Sequence, residues 1–215
     1  KRCPPIRFVS VRPFSKTRFV TNIIISISLY GVTVNFILFW HTLRRLFKTF
    51  CTDVCRASEK SKEMGVLKHS IAKGKGNMYG FLGEGLFKQY ASPFYKVETH
   101  NTYDYDFLLN DDVRIDVKTK STSVIPKGVY DCSVAAYNTK QKCDAYVFCR
   151  VMHSFDRGFI LGGLMKEEFF DKAQFWKKGK IDPSNGYQVK ADCYNIKIDQ
   201  LQTIKELVET CTASS

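Results

Sequence analysis

The chain has 215 residues and a formal net charge of +12, enough length for one good-sized domain and an additional segment. The charge is uneven: residues 1–60 carry 11 Lys/Arg against Asp53 and Glu59, and the remaining 155 carry 22 against 19. The larger part is therefore close to neutral, which excludes a uniformly basic binding face and leaves phosphate affinity to a local stripe, such as Lys73, Lys75 and Lys88 or Lys118, Lys120 and Lys127.

In chain order, residues 1–60 form a basic N-terminal segment unlike the rest. Phe19 to Trp40 holds no charged residue and is long enough to span a bilayer. Thr21, Asn22, Ser26, Ser28, Thr33 and Asn35 weaken its insertion, and basic residues on both sides give no orientation. The chain opens on Lys1 rather than Met, so three readings stay open for residues 19–40: a membrane anchor, a non-native extension, or a buried or interfacial helix. A folded domain is expected over 61–215. Its polar, Lys-rich approach, residues 53–75, reads as a linker that ends in a short helix.

Asn77 to Tyr90 carries Phe81, Leu82, Leu86, Phe87 and Tyr90 at helical spacing, with Glu84 among them. Tyr105 to Thr119 follows as a β-hairpin, two apolar runs around the turn-forming Asn110-Asp111-Asp112. Pro126 and Gly128 mark a loop. Ala145 to Met152 is an almost continuous apolar run, as a strand covered on both faces requires. Phe159 to Leu164 is the next strand, and a helix starts at Lys166. Phe175-Trp176-Lys177-Lys178-Gly179-Lys180 sets aromatics beside cations, either as a stacking surface for bases or as a packed Trp with a solvated lysine face. Asp182 to Gly186 is a turn, and Gln200 to Thr210 closes the chain as an amphipathic helix.

The hairpin carries the chemistry. With a three-residue loop, Leu109 pairs with Val113, and counting outward sets Asp106 opposite Asp116. Directly opposed side chains have Cβ atoms roughly 5 Å apart, where like charges repel. Lys118, two residues on, shares the face of Asp116. Two carboxylates among Phe107, Leu108, Leu109, Ile115 and Val117 require a cation, since burying a charge unpaired is costly. Asp104 shares the face of Asp106 and is an alternative ligand; the same count sets it opposite Lys118, as an ion-pair partner.

Asp106, followed by Asp116-Val117-Lys118 at the end of the next strand, resembles the PD-(D/E)xK nuclease superfamily, in particular its phage and virus members, over roughly residues 77–200. Tyr105 stands where the motif's proline would be. The resemblance implies a restriction-endonuclease-like α/β core, a mixed β-sheet flanked by helices. It implies Asp106, Asp116, Lys118 and Glu84 as catalytic residues, with Asp106, Asp116 and the main chain of Val117 on the metal. Gln141, in the element leading to the following strand, is a candidate substrate contact, and so is Lys120.

The expected activity is a Mg²⁺-dependent nuclease acting on DNA, with Mn²⁺ as a substitute metal. Hard oxygen ligands suit Mg²⁺, which acidifies a bound water and neutralises developing phosphate charge, while Lys118 assists the attacking water. The alternative is a catalytically inactive nucleic-acid-binding or membrane-tethered protein on the same fold; RNA or branched DNA is a further substrate option. DNA is the expected partner, with a homodimer and membrane association through residues 19–40 as options. The eight cysteines and four histidines show no zinc spacing, and the scattered thiols read as reduced, in the cytoplasm of a host cell. Gly74-Lys75-Gly76 lacks the frame of a nucleotide-binding loop.

Overall fold

A computed structural model of the chain describes residues 56–63, 76–100, 102–183 and 186–213. The expectations for residues 19–40, for Lys73 and Lys75, and for most of the linker lie outside the described residues. A helix over 56–63 (α1) is followed by α2 (Asn77–Ala91), β1 (Val97–Thr99), β2 (Phe107–Leu109), β3 (Val113–Thr122) and β4 (Asp131–Ala135). Then come β5 (Ala145–Met152), β6 (Gly158–Met165), α3 (Lys166–Lys172), β7 (Gln174–Trp176), β8 (Cys193–Lys197) and α4 (Ile204–Ala213). The architecture is mixed α/β. One five-stranded sheet runs β1-β2-β3-β5-β6, with β3 and β5 parallel and the other neighbours antiparallel. A second, three-stranded sheet runs β4-β8-β7.

Alternation along β3 divides the molecule into two layers of core. Val113, Ile115 and Val117 meet Phe87 and Ala91 of α2 and Ile204, Leu207 and Val208 of α4. The opposite face of the large sheet, with Tyr146 and Phe148 of β5, packs against Cys132, Val134 and Ile196 of the small sheet and Phe169 of α3. Asp116, Lys118 and Lys120 belong to this second face, because side chains two apart on a strand point the same way. They thus point toward the small sheet, where Lys120 bonds to Ser133 of β4.

The hairpin forms with the expected register, Leu109 with Val113 and Phe107 with Ile115. Asn110 and Asp111 adopt left-handed φ of 51° and 65°, which Asn and Asp tolerate better than other side chains. Asn110 also exchanges two hydrogen bonds with the Lys96 backbone, which seats β1 on the outside of β2.

One expectation needs correction, and of the two readings of residues 175–180 the packed Trp is the one observed. The boundary between residues 60 and 61 cuts through α1, whose Ala57 is buried with Leu82 and Val151, so residues 56–63 pack on the folded unit. That helix also lies where the linker was expected. Trp176 is buried with the Lys180 ammonium 4.1 Å from its ring centre, so its ring is not a free stacking surface; Phe175 is exposed and packs beside Tyr194.

Candidate active site

The strands of the hairpin separate just beyond Phe107, and the site occupies the fork. Asp106 still donates its N–H to the Ile115 carbonyl at 2.9 Å, but its carboxylate turns into the gap and accepts the Val117 N–H at 2.7 Å. The side chain thereby satisfies a β3 donor at the point where β2 stops. Upstream, the Thr102 hydroxyl bonds to the Tyr105 carbonyl and accepts the Tyr105 N–H, bending the chain out of the ladder. Asp104 therefore never faces Lys118; it accepts the Lys142 N–H at 3.2 Å, which corrects its expected ion pair.

Asp116 is 3% exposed. Its Oδ1 accepts the Gln141 amide at 2.9 Å. The Lys118 ammonium lies 2.5 Å from Oδ2, a close charge contact that lacks hydrogen-bond alignment and leaves Oδ2 without an aligned donor. Lys118 in turn donates to the Gln141 side-chain oxygen at 3.0 Å, and it lies 5.7 Å from the Tyr146 ring centre. Gln141, 5% exposed, sits inside the site rather than on a substrate-facing rim. Its amide is shared with the Tyr103 carbonyl at 2.6 Å, and Lys166 donates to its backbone carbonyl. These contacts fix the amide that joins Asp116 to Lys118.

Glu84 reaches the same region from α2, beside a close approach of that helix to β3 at Gly83. A Cβ on Gly83 would stand 1.8 Å from Thr119 Oγ1, so only glycine lets α2 lie this close to β3. The electrostatics register the convergence. Burial pushes the Glu84 carboxyl up to about 7, with Lys60 lowering it, Asp116 raising it and Lys118 lowering it. Burial pushes Asp106 up to about 8, helped by the charges of Asp116 and Glu84 and opposed by the Val117 N–H and Lys118. Asp116 is raised as well, by burial, against Lys118 and Gln141. Each carboxyl is thus held toward its protonated form by desolvation and by its neighbours.

Three carboxylates that feel one another's charge beside one ammonium form a donor set of the hard-oxygen kind that suits a divalent cation, with the Lys118 ammonium already 2.5 Å from Asp116 Oδ2. The arrangement is looser than a closed coordination shell: among the described residues, no group of three or more His, Cys, Asp or Glu side chains is close enough to hold a metal ion. Asp106 and Asp116 are the residues that fit, with Glu84 at the margin. Val117 meets Asp106 through its N–H. Lys120 lies further along the same face and bonds to the Ser133 hydroxyl at 2.6 Å.

Sequence reasoning missed Lys60, whose charge is felt by Glu84 and which comes from a helix not assigned to this domain. It also missed the carbonyl of Tyr103, for which a sequence offers no signal. Among the described residues no helix is long and apolar enough to cross a membrane. Comparison of the sequence with models of known families finds no match, and none is found among curated proteins.

Proposed function

We propose that the chain is a divalent-metal-dependent nuclease of PD-(D/E)xK type, on a restriction-endonuclease-like core, that hydrolyses phosphodiester bonds in DNA. The observation that supports this best is that Glu84 of α2, Asp106 just before β2 and Asp116 of β3 feel one another's charge and that of Lys118, whose ammonium lies 2.5 Å from Asp116. A fold gains nothing from bringing desolvated carboxylates together, since each raises the cost of ionising the next. A site that binds a cation and an anionic substrate does gain.

In this reading Asp106 and Asp116 hold Mg²⁺ or Mn²⁺, with Glu84 and the main chain of Val117 contributing. The cation supplies a Lewis acid that acidifies water and neutralises charge on the phosphate. Lys118 keeps its ammonium beside Asp116, where it orients the attacking water or meets a phosphate oxygen. Gln141 acts as a positioning residue, setting the carboxylate and the ammonium relative to each other.

The test incubates the full chain with plasmid and linear DNA in Mg²⁺ or EDTA, beside Asp116→Asn and Lys118→Ala. Metal-dependent cutting that disappears in both folded variants is the expected outcome. A second reading, an inactive binding protein on the same fold, draws on the closed Asp116–Lys118–Gln141 contacts and the absence of a close three-ligand group among the described residues. DNA binding without cutting in Mg²⁺ or Mn²⁺ selects it.

A further inference from the structure

We infer that Lys120 and Arg150 form a phosphate subsite next to the reacting position, so that the substrate is a polynucleotide strand laid along β3. This rests on reading Asp116 and Lys118 as that position. In the parallel pairing of β3 with β5, Asp116 stands beside Tyr146, Lys118 beside Phe148 and Lys120 beside Arg150. All of these side chains share the face turned toward the small sheet. Lys120 and Arg150 are therefore two cations side by side on neighbouring strands, an arrangement that repels itself as two carboxylates would.

Their surroundings do not neutralise them. The acid in reach is Asp131, but its carboxylate pairs with Lys197 at 2.8 Å. Lys120 and Arg150 take the Asp131 backbone carbonyl instead, at 3.3 and 2.9 Å. Their other close partners are the Ser133 hydroxyl, 2.6 Å from Lys120, and the Tyr130 ring, whose centre lies 5.7 Å from the Arg150 guanidinium. Every hydrogen-bond partner is neutral, and Arg150 Nε is buried without an acceptor. Lys120 is exposed as a residue while its ammonium is tucked against Asp131 and Ser133, and both cations are held below their ordinary range, first by burial. Two adjacent cations whose hydrogen-bond partners are all neutral, and whose nearest carboxylate is paired with Lys197, have the chemistry of an anion site.

The spacing selects the anion. Lys118 and Lys120 are one same-face step apart, about 6.6 Å along a strand. That is comparable to the separation of neighbouring phosphates in an extended nucleic-acid strand. A phosphate at Lys118 thus brings the next one to Lys120 and Arg150. A mononucleotide would leave the second position empty.

The test uses the full chain with Ca²⁺ in place of Mg²⁺, and compares thymidine 3′,5′-bisphosphate with thymidine 5′-monophosphate by calorimetric titration. Wild type is expected to bind the bisphosphate at least tenfold more tightly. Lys120→Gln and Arg150→Gln should each remove most of that gain, and Lys120→Arg should keep it. With a labelled single-stranded oligonucleotide in EDTA, each Gln variant should lower the slope of log affinity against log salt by about 0.7. Equal binding of the two nucleotides by wild type overturns the subsite even if a variant fails to fold, and so do folded Gln variants with wild-type affinity and salt slope. Cleavage of DNA by wild type, measured alongside, separates the two claims: cutting with unaltered binding in the variants overturns the subsite alone, whereas Lys120- and Arg150-dependent binding without cutting overturns the nuclease reading alone.

Discussion

Asp116 has two neighbours of different character, the Gln141 amide on Oδ1 and the Lys118 ammonium beside Oδ2, and their removal should differ in effect. Gln141→Leu leaves a buried carboxylate oxygen without its donor and should cost about 1–3 kcal/mol of stability. It should also lower the turnover rate while leaving DNA affinity in EDTA unchanged; unaltered turnover would remove Gln141 from the site's machinery. The carboxyls make a pH prediction of their own. Glu84 and Asp106 lie near 7 and 8 in the folded chain, above their ordinary values of 4.5 and 3.8. The folded state therefore binds more protons than the unfolded one between those limits, and metal-free stability should fall as pH rises from about 4 to about 8, by up to ~1.4 kcal/mol per pH unit for each group. Melting in EDTA at pH 5.5 and pH 8.5 checks the sign, and Mg²⁺ should restore more stability at pH 8.5, where it replaces the lost protons. A metal-free melting temperature that climbs across this window would contradict the assignment.

At the scale of elements, α2 is held against β3 by what Gly83 lacks. Its Cβ would meet Thr119 Oγ1 at 1.8 Å and Thr119 Cβ at 2.8 Å. Gly83→Ala should destabilise the fold by about 1–3 kcal/mol through overpacking and displace Glu84, lowering activity beyond the stability loss. Adding Thr119→Ala should recover only part, because the Cβ contact remains; thermal melts of wild type and the two variants decide it. The same elements show what the sequence made legible. The hairpin could be read because Asn110 and Asp111 accept left-handed backbone between two apolar runs, and counting outward from that turn gives the register and sets Asp106 near Asp116. The count failed one step later, at Asp104, because the Thr102 hydroxyl bends residues 102–105 away from the ladder. The small sheet was not legible: β4 and β8 have five residues each and β7 has three, too short for their pattern to stand out from the loops around them. Gln141 could be seen as a candidate, but its burial depends on Tyr103 and Lys166, far away in the chain.

For the molecule as a whole, the folded unit begins earlier than composition suggests. The charge contrast drew attention to residue 60, yet Ala57 is buried against Leu82 and Val151, and Lys60 lies 5.6 Å from the Phe81 ring centre. A chain starting at residue 64 should melt below one starting at residue 52, and Glu84 should become harder to ionise once Lys60 is gone. Equal melting temperatures would mean that α1 adds nothing to the core. The two layers of core meet on β3, whose one face builds the helix side while the other carries Asp116, Lys118 and Lys120 toward the small sheet. The charged face is thus anchored by the strand's own burial, which is how a site with repelling carboxylates can be kept in place. The most direct measurement is the rate at which the full chain cuts an end-labelled DNA strand as Mg²⁺ is titrated, beside Asp106→Asn and Asp116→Asn. The account predicts a rate that rises from zero in EDTA to saturation and is lost by at least a hundredfold in both folded variants; cutting that persists in EDTA or in Asp116→Asn, or a wild type that never cuts, would contradict it.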